Sequence, residues 1–326
     1  MPVSGGGLEA SWYRGDRWLW LLRPLECVFR LLAATRRGLY QSRILSSYRA
    51  PVPVVVVGNI TVGGTGKTPV VIALVEALQA QGLRPGVVSR GYGATDNDFP
   101  HVVGPDSNAG QSGDEPLLIY QRTHAPCVVD PDRGRAVQTL LSQFEADLII
   151  CDDGLQHYAL RRDFEIAVLD QIRGVGNGFC LPAGPLREPV ARLHSVDKVL
   201  YRGSDRPEDG VSYQAQAWIN VQTGEQRPLD AFSTVSKVSA LAGIGQPEQF
   251  FATLDALGLA FDSRVFPDHY SYSAEDFSTL GEQPILMTEK DAVKCRELAG
   301  PNAWYLRIEA QLPQSLVTAV AELARS

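Results

Sequence analysis

Residues 58–68 read Gly-Asn-Ile-Thr-Val-Gly-Gly-Thr-Gly-Lys-Thr and follow directly on the β-branched run Val-Pro-Val-Val-Val-Val at 52–57. A short, unbroken apolar run of this kind suits a central parallel strand buried on both faces. Residues 67–81 then carry Val71, Leu74, Val75 and Leu78 at helical spacing, with Gly82 as a stop. A glycine-rich loop between a buried strand and a helix lets successive backbone N–H groups wrap a phosphate, and the helix N-terminus adds positive potential. Thr61, Val62, Gly63, Gly64, Thr65, Gly66, Lys67 and Thr68 are therefore the expected phosphate cradle. Lys67 is placed to reach the β- and γ-phosphates, and the Thr68 hydroxyl to ligate Mg²⁺. The general P-loop pattern has Gly where this chain has Thr61; Gly63 and Gly64 offer flexibility nearby.

A nucleotide site needs a further carboxylate near the metal. Leu148-Ile149-Ile150-Cys151-Asp152-Asp153 supplies it, an apolar strand ending in paired Asp. Strand-terminal Asp also caps turns, so the pair draws its meaning from the loop. Around these motifs strands and helices alternate. Strands are expected at 85–89, 126–129, 147–151, 165–169 and 197–201, and helices at 114–123 and 132–144. Repeated βα units predict a P-loop NTPase-like, doubly wound parallel sheet. The polar stretch 203–233 reads as a connection, after which strands at 235–241, 261–266, 284–287 and 303–308 alternate with helices at 247–257, 273–280 and 314–325. The expected division is an N-terminal region at 1–45, a P-loop core at 46–230 and a smaller α/β domain at 231–326.

The formal charge of −7 argues against a uniformly basic nucleic-acid binder. It is unevenly spread. Residues 1–50 hold eight Arg, no Lys and only Glu9, Asp16 and Glu26 as acids, along with Trp12, Trp18 and Trp20. Trp18, Leu21, Leu22, Leu25, Val28, Phe29 and Leu32 recur near helical spacing among these arginines. Interfacial membrane helices combine such features, and so does a helix packed on its own core; the residues alone leave both open. Arg23, Pro24, Glu26 and Arg30 break the segment as a membrane span. Five Cys without a CxxC suggest buried free thiols rather than a disulfide or zinc framework.

Several further motifs follow in fixed order: Ser89-Arg90-Gly91-Tyr92-Gly93, Gly113-Asp114-Glu115-Pro116, Asp152-Asp153-Gly154-Leu155-Gln156-His157, Leu181 to Pro189, Phe266-Pro267-Asp268-His269, and Thr288-Glu289-Lys290-Asp291-Ala292-Val293-Lys294. Together with the P-loop, whose Thr61 matches, they closely resemble the tetraacyldisaccharide 4′-kinase family, the lipid A 4′-kinases of Gram-negative bacteria. The resemblance runs from about residue 10 to the C-terminus. Family members often carry a second His after Asp-His, where this chain has Tyr270.

The resemblance implies transfer of the ATP γ-phosphate to the 4′-hydroxyl of a tetraacylated disaccharide 1-phosphate. It implies ATP and Mg²⁺ as cofactors, with Thr68, Asp152 and Asp153 at the metal. It also implies a peripheral enzyme at the cytoplasmic face of the inner membrane, its partners a lipid A disaccharide precursor and the membrane surface, with no nucleic acid and no obligate protein. For the proton acceptor it points to Asp114 partnered by His269, which on residues alone read as a helix cap and a loop His. Arg90 and Arg187 are candidates for acceptor phosphate or sugar, and Gln156 and His157 for substrate or metal water. The motif at 288–294 matches without a derived role. Two other classes share the loop and the paired Asp: a nucleotide-driven switch or metal-insertion chaperone, and a soluble small-molecule kinase.

Overall fold

The computed structural model describes residues 7–96 and 98–326. Its first half forms strands β1 (Val54–Gly58), β2 (Pro85–Ser89), β3 (His101–Val102), β4 (Cys127–Val129), β5 (Leu148–Asp152), β6 (Phe164–Asp170) and β7 (Lys198–Arg202). In space they run β7-β6-β1-β5-β2-β4-β3, parallel except for the short β3 at the edge. The valines of β1 show why this block is doubly wound. Val55 and Val57 enter one core, against Val71, Leu74 and Leu78 of the helix Lys67–Gln79, while Val54 and Val56 enter the other. Side chains that alternate across a strand need an apolar layer on each face, which the helices supply.

The second half adds β8 (Gly210–Asn220), β9 (Gln226–Arg227), β10 (Val238–Ala242), β11 (Phe261–Val265), β12 (Ile285–Thr288) and β13 (Ala303–Gln311). The order continues from β7 as β8-β13-β12-β10-β11, with β9 paired to β8. The stretch 203–233, expected as a connection, thus contains the longest strand among the described residues. Its polarity hid a period of two at its start, where Val211, Tyr213 and Ala215 alternate with Ser212 and Gln214, before a register shift near Gln216 brings Trp218 onto the inward face. β8 is parallel to β7 only at Tyr201↔Gly210 and Arg202↔Val211, and is then antiparallel to β13 from Ser212 to Asn220. It therefore leaves the carboxyl end of the first block and enters a second block running the opposite way. The carboxyl ends of both blocks face one another, the position where open α/β sheets bind ligands.

The N-terminal region forms a short helix Leu8–Arg14, a 3₁₀ turn Arg17–Leu22 and a helix Arg23–Gln41. Its apolar stripe does not pack on the core. Trp18 is 46% exposed, Leu21 81%, Leu25 58%, Val28 55% and Leu32 65%. Of the stripe, Phe29 packs against the core. The helix is held instead by Glu26, which is 1% exposed and accepts the Cys180 N–H at 3.1 Å. Arg23 and Arg30 flank that carboxylate, and Arg37 donates to Ser195 Oγ at 3.2 Å. Cys27, on the same helix, is exposed, contrary to the expected buried thiols; the other four Cys are buried. No helix among the described residues is long and apolar enough to cross a membrane.

Replacing Glu26 with Ala leaves a buried N–H and two arginines without their acceptor. It is expected to cost about 1–3 kcal/mol, read as a lower Tm and faster proteolysis near residue 40.

Candidate active site

β1 lies between β5 and β6, with Val57 level with Asp152, so the loop leaving β1 begins beside the paired carboxylates. The loop is braced from within by the buried Asn59, whose amide donates to Thr65 Oγ1 at 3.1 Å and Thr61 Oγ1 at 3.4 Å. This gives Thr61 a function in the loop that glycine could not serve. Pro185 O accepts the Val62 N–H at 2.8 Å, and Ile60 O the Arg187 N–H at 2.7 Å, so the segment around Pro185 flanks the loop. From the second block, Gln246 Nε2 donates to Gly64 O at 2.8 Å. Gly66 has φ +79°, and a Cβ there would come within 2.7 Å of Arg202 Cδ and Tyr213 Oη. Tyr213, on β8, donates its hydroxyl to Gly66 O.

The two carboxylates after β5 have opposite characters. Asp152 is fully buried; its Oδ2 accepts from Ser89 Oγ at 3.4 Å, and its Oδ1 has no hydrogen-bond partner. Burial, with Glu115 and Asp153 nearby, pushes its pKa up to about 7. For Asp153 burial also acts upward, but Lys67 and Arg187 outweigh it and hold the carboxyl at about 2. Lys67 Nζ lies 3.5 Å from Asp153 Oδ1, and Arg187 Nη1 lies 3.1 Å from Oδ2. A buried carboxylate oxygen without a donor, beside a second carboxylate, suits a hard cation; Thr68, in the first turn of the helix, is also buried.

A cavity of about 660 Å³ opens over this floor. Its walls include Gly63, Gly64, Lys67, Asp152 and Asp153, together with all four candidate substrate residues. Arg90 is exposed at its wall. Gln156 is engaged structurally, donating to Asn59 O at 3.0 Å and to Glu188 at 3.2 Å. His157 is held neutral: burial, then Arg133 and Arg162, bring its pKa down to about 4. Arg187 is paired with Asp153, which also pairs with Lys67. Arg133 escaped the sequence reading. It is 2% exposed, donates to Asp152 O at 3.2 Å and lines the cavity. Its signal was its position, opening a helix just past the carboxyl end of β4. Arg36, from the exposed N-terminal helix, also lines the cavity.

The remaining wall comes from both blocks. Asp114 opens the helix Asp114–Thr123 and is 4% exposed; His269 lies in the loop after β11 with φ +58°. Nδ1 of His269 is 3.0 Å from both Asp114 oxygens. His269 lines this cavity, and Asp114 and His269 together line a second cavity of about 1000 Å³. Burial alone would raise the Asp114 carboxyl, but the His269 hydrogen bond and the Lys290 charge outweigh it and hold it below the usual range. Tyr270, where a second His is frequent in the resembling family, packs on Phe266 with ring centroids 4.8 Å apart. The motif at 288–294 acquires a place here. Thr288 caps its helix by accepting Asp291 N–H at 3.1 Å, and buried Asp291 accepts from Gly243 N and Tyr272 Oη, each at 3.0 Å. Glu289 pairs with Arg122 at 2.9 Å, and Lys290 reaches Glu115 at 3.0 Å.

Gly66→Ala is expected to abolish the rise in Tm that ATP gives the wild-type chain by mass action, with the unliganded Tm lowered only by the local clash. Calorimetry with and without nucleotide checks this.

Comparison with known proteins agrees with this geometry. A family model described as tetraacyldisaccharide-1-P 4′-kinase matches residues 18–325. The tetraacyldisaccharide 4′-kinase of Pseudomonas aeruginosa (strain LESB58) is 52% identical over 306 residues, covering 93% of this chain and 92% of the relative. That of Azotobacter vinelandii is 55% identical over 313 residues, covering 95% and 94%. A crystal structure of the "apo" form of LpxK from Aquifex aeolicus in complex with ATP superposes with a TM-score of 0.78 at 27% identity, covering 94% of this chain and 99% of that one.

Proposed function

The chain belongs to the tetraacyldisaccharide-1-P 4′-kinase family, and from that premise we infer how its cavity works. It is an ATP-dependent phosphotransferase that moves the γ-phosphate of ATP to the 4′-hydroxyl of tetraacyldisaccharide 1-phosphate, a step in making lipid A. The observation that carries the residue roles is one cavity walled by the P-loop on one block and by His269, which is bonded to Asp114, on the other.

Phosphoryl transfer needs the migrating charge neutralised, the partners aligned and the hydroxyl proton removed. The loop amides from Thr61 to Thr68 cradle the phosphates, and Lys67, held beside Asp153, supplies the mobile positive charge. Thr68, Asp152 and Asp153 would hold Mg²⁺, which supplies charge neutralisation at the phosphate oxygens. Arg187 and Arg90 face the transferred phosphate and the acceptor, and Gln156 and His157 line the approach. Asp114, kept ionised, accepts the hydroxyl proton, and His269 orients that carboxylate through Nδ1. A nucleotide switch has no need of such a proton acceptor. The exposed apolar face of the helix Arg23–Gln41, with its arginines, supports docking on an anionic membrane surface, the cytoplasmic face of the inner membrane.

Incubation with labelled ATP and the disaccharide 1-phosphate should yield a bisphosphorylated lipid; nucleotide hydrolysis without that product would favour the switch. Asp114→Ala is expected to lower turnover by about 10²-fold or more while ATP still raises the Tm. The double change Leu21→Glu and Leu32→Glu should release the protein from anionic liposomes in flotation assays without lowering its Tm. Unchanged flotation would count against membrane docking.

A further inference from the structure

Lys290 occupies a position that local structure does not explain. It is the second residue of the helix Glu289–Cys295, where the helix dipole disfavours a cation. That helix start is already secured by Thr288 and Asp291. The ammonium points instead at three carboxylates: Glu115 at 3.0 Å, Asp268 at 3.2 Å and Asp114 at 3.8 Å. Two of these open a helix of the first block, and the third sits beside His269 in the second. Lys294, the neighbouring cation on this helix, is occupied with Asp291 at 3.0 Å. With its side chain 16% exposed, Lys290 is weakly screened by solvent.

We propose that Lys290 is a positioning residue for phosphoryl transfer, its ammonium clasping Asp114, Glu115 and Asp268 so that the proton acceptor stays ionised and the His269 loop stays seated on it. An ammonium has three N–H donors, and three carboxylates converge here. Without the cation, Asp114, Glu115 and Asp268 repel one another, and that repulsion pushes the His269 loop away from the helix that carries Asp114. The same repulsion favours protonation of Asp114, which disarms it as a base. Glu115 lines the nucleotide cavity, so the clasp also ties the acceptor side to the nucleotide side. This inference rests on the reading of Asp114 as the proton acceptor.

The test uses the full chain with ATP and the disaccharide 1-phosphate, measuring kcat, the KM for ATP and the pH–rate profile. Lys290→Met is expected to lower kcat by roughly 10-fold or more with the KM for ATP within a few-fold, and Lys290→Arg to recover most of the loss. In Lys290→Met the acid limb of the profile moves to higher pH, because the charge favouring the Asp114 anion is gone. Asp268→Asn removes a negative charge from the same cluster and should move that limb to lower pH. The groups facing Asp114 are His269, Lys290, Glu115, Asp268 and, farther off, Lys294, so these opposite movements isolate the clasp from a plain packing role. Unchanged kcat in Lys290→Met, or a loss uniform in pH that Arg does not rescue, overturns the proposal. If Lys290→Met does not fold, the Asp268→Asn limb decides, and an unmoved limb overturns it. Near wild-type turnover in Asp114→Ala would instead remove the premise. A dead Asp114→Ala beside a fully active Lys290→Met would defeat the Lys290 inference alone.

Discussion

The antiparallel pairing of β8 with β13 is the constraint on which the rest of the molecule depends. Had β8 stayed parallel along its whole length, the second block would extend the first, and its carboxyl ends would lie beside those of the P-loop block. Because β8 passes β7 for only two residues and then reverses the sense of the sheet, the two rows of carboxyl ends face each other. Loops that follow parallel strands at these ends are where helix N-termini and free N–H groups gather. The reversal sets two such rows across one cleft. The contact of Gln246 with Gly64 and of His269 with Asp114 follow from it, as does the reach of Tyr213 to the loop at Gly66.

Bringing the loops together concentrates charge, and the distribution of that charge separates two tasks. On the P-loop side, Asp152 has a buried oxygen with no donor, while Asp153 is neutralised by Lys67 and Arg187. One carboxylate is thus poised near neutrality and its neighbour is firmly ionised, the divergence that environment imposes on paired acids. On the side of the second block, His269 and Lys290 hold the Asp114 carboxyl below its usual range despite its burial. An uncompensated carboxylate suits a cation-binding floor, whereas an ionised carboxylate shared with an imidazole suits proton removal.

The parts of this arrangement governed by local pattern were legible in the sequence. β1, the loop, the following helix and the Asp152–Asp153 strand end are set by short-range periodicity and glycine placement, and they stand within a residue or two of expectation. β8 was hidden because its inward Tyr213 and Ala215 sit among Ser212, Gln214 and Gln216, and a register shift near Gln216 breaks the alternation before Trp218. Its strand character comes from β13, about ninety residues away. Lys290 and Arg133 were obscure for a related reason. Lys290 reads as an interdomain contact, a nucleotide-side contact or a helix-start charge, and Arg133, after Asp132, as a surface charge, until tertiary structure places them beside carboxylates or a carbonyl group. Asp114 and His269 came from family resemblance rather than from spacing, since 155 positions separate them.

Under the proposed docking, the N-terminal helix would let one element serve a water-soluble donor and a lipid acceptor. Its apolar residues face outward, yet Glu26 anchors it to Cys180, at the start of the segment whose Pro185 and Arg187 bond the P-loop. Arg36, two turns beyond Phe29, reaches the cavity wall. The surface suited to a membrane and the floor of the phosphate site are therefore joined by one short run of hydrogen bonds. An amphipathic helix settles at the boundary between headgroups and acyl chains. A cavity fixed to such a helix opens at headgroup depth. A lipid whose sugar is its headgroup can then present a hydroxyl there while its acyl chains stay in the bilayer. Extracting four chains into water would expose a large apolar area, at about 25 cal/mol per Å². On the proposed membrane docking, the geometry of the anchor removes the need for that extraction.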